Sequence, residues 1–187
     1  MHFTLGDIII DITQNGAESG ADTVELSIVE IWTSEKAELR FWVKDNGNGM
    51  DEKMLKQIVD PFVTDGIKHP QRKVGLGVPF LIQTAEQSGG GWDIQSKKGE
   101  GSTITAWFDL RNVDTPPLED ISGMFRTILM FQGPKEMTFH RIRKGAEELP
   151  DLDYTVRKTD MMDALGDLED TANLILLGSY LNSLEDG

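Results

Sequence analysis

Asp11 and Asn15 stand four residues apart in the segment DITQNGAESG. On a helix that spacing puts both side chains on one face about one turn apart, so a carboxylate and a carboxamide share a pocket. An amide oxygen suits a hard cation such as magnesium, which takes few protein ligands and keeps the rest of its shell for water and phosphate oxygens. A carboxylate one turn away is placed to orient a water for attack on a terminal phosphate. The same pair on its own also describes a solvated helix face, so it gains meaning only from its company.

That company is three glycine-bearing loops. In Asp45-Asn-Gly-Asn-Gly-Met50, Gly47 and Gly49 permit positive φ and let a flat ring approach backbone that a Cβ would block. An aspartate beside them is an acceptor for an exocyclic amine, although Asn-Gly pairs are also ordinary turn residues. In Lys73-Val-Gly-Leu-Gly-Val78, Gly75, Leu76 and Gly77 open a helix and expose backbone N–H groups at the positive end of its dipole, a phosphate site. Lys68, His69 and Arg72 precede it and add a basic cluster to an acidic chain. Gly99-Glu-Gly-Ser-Thr103 reads by itself as a hairpin turn.

Other chemistries are excluded by what is missing. None of the Gly-x-Gly triplets continues to Gly-x-Gly-x-x-Gly, and there is no Gly-x4-Gly-Lys-Ser/Thr loop or His-Glu-x-x-His helix. With no cysteine, thiolate catalysis, disulfides and zinc–sulfur sites are out.

The elements that must position these residues follow from periodicity. Ile8, Ile9, Ile12 and Ala17 predict a helix over 7–20, closed by Gly20. Val24, Leu26 and Ile28, then Leu39, Phe41 and Val43, alternate as two strands joined by a turn at 34–36, the second running into the Asp45 loop. Asp51 opens a helix stopped by Pro61, and a further helix spans about 76–88 before Gly89-Gly-Gly91. A hairpin follows, 92–96 with 103–110. Pro116-Pro117 marks a change of character. Beyond it the reading is a helix near 118–131, strands near 137–142 and 154–158, and an apolar helix near 171–184. There Leu174, Leu177, Leu181 and Leu184 mark one face, expected to pack on the preceding domain. Met161 and Met162 are read as core or hinge.

The chain has 187 residues, about one domain's worth, with 18 basic against 32 acidic side chains and a formal charge of −14. Residues 1–109 and 110–187 carry −7 each. Such a chain is repelled by nucleic acid and anionic membrane, so neither is expected as a partner, and any nucleotide must be held locally. The opening MHFTLGDIII lacks a signal peptide's basic leader and long apolar run, and no segment approaches the ~18 residues of a spanning helix. A soluble cytoplasmic protein is the expectation.

In this order and spacing the four elements resemble the GHKL superfamily, the ATP-binding domains of gyrase, the 90-kilodalton heat-shock chaperone, histidine kinases and mismatch-repair ATPases. The match runs from about Ile8 to Phe108: DITQNGAESGA, DNGNGM, PFVTDG, GLG and GEGST. The resemblance implies an α+β Bergerat fold, a mixed sheet with helices on one face, for residues 1–113, with 114–187 a small α/β extension of unknown role. It implies that ATP lies under a lid formed by 62–75. Asp45 matches the adenine-recognising carboxylate, helped by Thr103 through water. Asn15 matches the magnesium-coordinating asparagine, and Asp11 the general base. Gly47 and Gly49 match the loop beside adenine, while Gly75 and Gly77 match the lid glycines, with Lys68, Arg72 and Lys73 as phosphate contacts.

Two departures bear on the branch. The base is typically glutamate where this chain has Asp11, one methylene shorter, and sensor kinases commonly carry Lys or Arg where Glu18 stands. The short lid is similar to that of sensor kinases and anti-sigma kinases. Only about ten residues precede the first motif, too few for a phosphoacceptor hairpin, so a complete sensor histidine kinase is not expected. The expectation is magnesium-dependent ATP hydrolysis or phosphorylation of a partner protein. The alternative is a non-catalytic module whose lid orders on ATP. The tail resembles small stand-alone ATP-binding proteins of anaerobic bacteria.

Overall fold

The computed structural model describes residues 3–59 and 77–187. Twelve elements are found in them. Helix α1 spans Leu5–Glu18, strand β1 Thr23–Trp32, β2 Ala37–Asp45, α2 Glu52–Val59 and α3 Gly77–Gln87. They are followed by β3 Gly91–Lys97, β4 Gly101–Asp109, α4 Ile121–Leu129, β5 Glu136–Lys144, β6 Leu152–Arg157, α5 Lys158–Leu165 and α6 Thr171–Asp186.

The strands form one mixed six-stranded sheet in the order β3-β4-β2-β1-β5-β6. Only β1 and β5 pair in parallel, with Leu26 beside Phe139. Alternation decides which face is covered. Val24, Leu26 and Ile28, Leu39, Phe41 and Val43, Ile104, Ala106 and Phe108, and Met137 and Phe139 share one side of the sheet, and all are buried. They join the buried faces of α1, α3, α4 and α6 in a single cluster, so the helices lie on that side. This is the expected two-layer α+β arrangement.

Helix α1 carries the first two chemical residues and is fixed at both ends. Thr4 and Asp7 form a reciprocal capping box, with the Asp7 N–H donating to Thr4 Oγ1 at 3.2 Å and the Thr4 N–H donating to Asp7 Oδ2 at 2.9 Å. Leu5, Ile8, Ile9 and Ile12 are buried at helical spacing, and Gly20 turns the chain out with φ of 80°. In α2 the Met54 N–H donates to Asp51 Oδ1 at 2.8 Å, so Asp51 opens the helix as its sequence position suggests.

The tail extends the same sheet. Strand β5 lies inside it between β1 and β6, Leu177 and Leu181 of α6 are fully buried, and the Leu5 N–H donates to Pro117 O at 2.9 Å. Helix α5 differs from the sequence reading, which has only two methionines of core or hinge there. No residue of α5 is fully buried, so it carries no strong apolar period to detect. It begins where Thr159 donates from both backbone N–H and hydroxyl to the Glu136 carboxylate. Met161 packs on the core and Met162 is exposed.

Candidate functional site

A cavity of about 250 Å³ opens between α1, α2, α3 and the ends of β2 and β4. Its inner surface is apolar, with Ile12, Val43 and Ile104 on one side and Met50, Met54 and Ile58 on the other. Asn15, Glu18, Ser19, Asp45, Asn48 and Ser102 supply polar groups. An apolar slot with a few convergent polar atoms is the usual form of a small-molecule site.

Asp45 sits at the last position of β2 on the covered face and is only 8% exposed. It accepts hydrogen bonds from the Gly47 N–H at 2.8 Å and from Ser19 Oγ at 2.9 Å. Burial pushes its carboxyl above the ordinary value; the bonds from Gly47, Ser19 and the Ser102 backbone offset part of that. A carboxylate accepts about four hydrogen bonds, so Asp45 is a partly satisfied buried acceptor beside an apolar slot.

The glycine loop is built around that carboxylate. A Cβ on Gly47 would lie 1.8 Å from Ser19 Oγ, and one on Gly49, whose φ is 58°, would lie 2.0 Å from Lys97 O. The loop leans on the β3–β4 turn: the Gly99 N–H donates to Asn48 O at 2.7 Å and the Met50 N–H to Ser96 Oγ at 2.8 Å. At Gly101, φ is 99° and a Cβ would lie 2.0 Å from Asp45 O. The GEGST turn and the DNGNGM loop are thus two halves of one backbone contact, and their co-occurrence has a steric cause.

Asn15 lines the cavity and Asp11 lies one turn back along α1. Helix α3 begins against both. A Cβ on Gly77 would sit 3.4 Å from Asp11 Cβ and 3.7 Å from Asn15 Nδ2. The start of α3 is thereby set against the Asp11–Asn15 face. Asp11 remains exposed overall, yet partial burial and then the neighbouring Asp7 carboxylate raise its carboxyl above the ordinary value.

Asn15, Asp45 and Gly49 line the cavity; Gly47 stands behind it, bonded to Asp45, and Asp11 and Gly77 meet beside Asn15 without lining it. Thr103 is not among its lining residues. It pairs with Lys44 and Gln95, on the opposite side of β4 from Ile104 and Ala106, while Ser102 faces the cavity beside Asp45. The period of two along β4 carries this signal in the sequence, because Ile104, Ala106 and Phe108 put Ser102 on their side. Lys68, Arg72, Lys73, Gly75 and Leu76, with the rest of the 62–75 lid and His69, lie outside the described residues. His140 pairs with Asp153 at 3.0 Å on β5 and β6, away from the cavity.

Three supporting residues escape a reading of motifs alone. Ser19 bridges Gly16 O and Asp45. Asn46 Oδ1 accepts from the N–H groups of Asp22 and Thr23, both at 2.9 Å, and so ties the loop to the start of β1. Ser96 pairs with Ser102 Oγ at 2.8 Å.

A helix-covered mixed sheet with a buried aspartate and glycine loops at its strand ends defines a nucleotide-site architecture of the GHKL kind. Residues 3–112 match the family described as histidine kinase-, DNA gyrase B- and HSP90-like ATPase, and the chain belongs to that family. Sporulation kinase C of Bacillus subtilis is 31% identical over 108 residues, 58% of this chain and 24% of that protein. The peroxide stress-activated histidine kinase mak2 of Schizosaccharomyces pombe is 35% identical over 80 residues, 42% of this chain and 4% of that protein. The chain thus spans a quarter or less of the length of these relatives. Among solved structures, the Aquifex aeolicus MutL ATPase domain complexed with ADP is 18% identical, with 78% of this chain and 62% of that chain covered and a TM-score of 0.39. A histidine kinase domain from the Erythrobacter litoralis blue-light-activated kinase gives 18% identity, 49% and 35% coverage and a TM-score of 0.30. Among the described residues no helix is long and apolar enough to cross a membrane.

Proposed function

We propose that this chain binds magnesium–ATP in the Asp45 cavity and cleaves it or passes its terminal phosphate to a protein partner. The observation that carries the reading is Asp45: a buried carboxylate, raised by desolvation, with glycine backbone and an apolar slot on either side. It gains a hydrogen bond when an adenine amine enters. Met50, Met54 and Ile104 present apolar surface to the ring faces.

The phosphates then run toward Asn15 and the start of α3. Among the described residues no group of three or more His, Cys, Asp or Glu could hold a metal, and a single amide oxygen at Asn15 fits a magnesium ion held mainly by phosphate and water. That ion would neutralise charge on the phosphates. Asp11 faces the same end with a carboxyl raised toward greater basicity, the property a proton-accepting, water-orienting group needs. Lys68, Arg72, Lys73, Gly75 and Leu76 remain the proposed contacts of the phosphates on the strength of their sequence.

The test is ADP production from magnesium–ATP by the purified chain beside Asp11→Asn, at matched nucleotide occupancy. Turnover in the wild type that is lost in the variant supports cleavage through Asp11. Equal turnover removes Asp11 from the mechanism. Saturation without turnover in either points to the nucleotide-gated module instead.

A further inference from the structure

Glu18 brings a negative charge to the lip of a cavity assigned to a polyphosphate, where it lines the pocket beside Asn15 and Ser19. It falls on the same face of α1 as Asp11 and Asn15, at spacings of seven and three. At ~1.5 Å per residue it stands about 4.5 Å beyond Asn15 along the helix, next to Ser19, whose hydroxyl touches Asp45. The side chain is held by Gln14, whose Nε2 donates to Glu18 Oε1 at 2.7 Å, and Oε2 has no partner among the described residues.

These positions order the site along α1. Asp45 marks the base end at the height of Ser19, and Asn15, Asp11 and the start of α3 mark the phosphate end. The sugar of a nucleotide so placed lies between them, at the lip. A carboxylate accepts hydrogen bonds and donates none. It repels phosphate oxygens and is matched by hydroxyl donors, of which ribose offers two on adjacent carbons. Recognition of ribose hydroxyls by an acidic side chain is a general solution in nucleotide sites.

We propose that Glu18 is a specificity-determining residue that accepts a hydrogen bond from a ribose hydroxyl and selects ribonucleotides over deoxyribonucleotides. The proposal rests on the nucleotide reading of the Asp45 cavity. It gives a carboxylate, where sensor kinases commonly carry Lys or Arg, work at the sugar and not at the phosphates.

The experiment measures Kd for ATP, 2′-deoxy-ATP and 3′-deoxy-ATP by calorimetry on the whole chain and on Glu18→Ala and Glu18→Gln. A hydrogen bond to a charged acceptor predicts that wild type binds ATP roughly tenfold more tightly than at least one deoxy analogue. Glu18→Ala should bring ATP to the level of that analogue and leave the analogue's Kd unchanged. Glu18→Gln, which keeps an uncharged acceptor, should fall between. Equal affinity of wild type for all three nucleotides overturns the proposal, as does a variant that weakens all three alike, the signature of a disturbed helix end. Absence of binding by any nucleotide to wild type overturns the Asp45 reading and this proposal with it.

Discussion

At the scale of single residues, Asp45 is in tension with its surroundings, and the direction of that tension is measurable. Its carboxyl is raised, chiefly by desolvation, so the fold favours the protonated form. The favourable contribution is present below the unfolded value of ~3.9 and is lost as pH rises through the higher folded value. Asp45→Asn mimics the protonated form and keeps an oxygen for Ser19 and Gly47. The ligand-free variant should therefore melt at or above the wild type, with the difference growing between about pH 4 and pH 7 by differential scanning fluorimetry. The rise in melting temperature that ATP gives the wild type should vanish in the variant. Glu136 behaves in the opposite sense. Desolvation raises its carboxyl, but the Thr159 and Met137 hydrogen bonds and Arg157 outweigh it and hold the value low. Its contribution is present above the unfolded value and is lost as pH falls through the folded one.

Gly101 belongs to the same scale. With φ of 99° and Asp45 O only 2.0 Å from where a Cβ would stand, Gly101→Ala has neither the conformation nor the space it needs. The expected cost is about 2 kcal/mol or more in urea denaturation, together with loss of nucleotide binding. Gly99→Ala meets no atom within 4 Å. Its φ of 84° alone should make it the milder change, so the two variants separate backbone strain from collision.

At the scale of elements, α6 is held by a polar clamp that alternation along β5 does not anticipate. Arg141 and Arg143 lie on the covered face, 0% and 5% exposed. Arg141 donates to Glu30 Oε2 at 2.7 Å. Its Nε lies 3.4 Å from Glu185 Oε1, an ion-pair distance without hydrogen-bond geometry. Arg143 donates to Glu185 Oε2 at 3.3 Å and to its backbone oxygen at 3.1 Å, and Tyr154 donates to the same carboxylate. Removing one partner of a buried pair leaves charge without compensation, which costs about 3–5 kcal/mol. Glu185→Ala should lower unfolding free energy by about that amount while leaving ATP affinity little changed, because the clamp is far from the Asp45 cavity in the fold. A loss under about 1 kcal/mol would show that the clamp adds little to α6 docking.

At the scale of the whole molecule, the tail supplies two of six strands and part of one continuous core. Cutting the chain after residue 113 would strip β1 of its parallel neighbour β5 and uncover buried surface on α1 that now meets α4. An exposed strand edge beside uncovered apolar residues promotes aggregation. The 1–113 fragment should therefore be recovered mainly as aggregate, or melt well below the full chain; a soluble monomer of equal melting temperature would establish it as an independent domain.

The sequence by itself determined most of the elements, α5 excepted, and the faces on which the candidate residues stand. Residues three, four and seven apart define one helix face, residues two apart define one strand face, and a glycine that must adopt positive φ announces itself. Those rules put Asp11 and Asn15 on one face of α1, Asp45 on the covered face of β2 and Gly49 at a positive φ of 58°, whereas Gly47 and Gly77, which are not at positive φ, are singled out by the family resemblance. Thr103 comes from reading the motif as a string, whereas strand parity gives the inner face to Ser102. Tertiary structure alone decided that β5 enters the sheet beside β1, that Arg141 and Arg143 are matched by Glu30 and Glu185, and that Gly101 presses on Asp45. Each of these depends on which distant segments meet, and local periodicity contains no information about pairing between segments far apart in the chain.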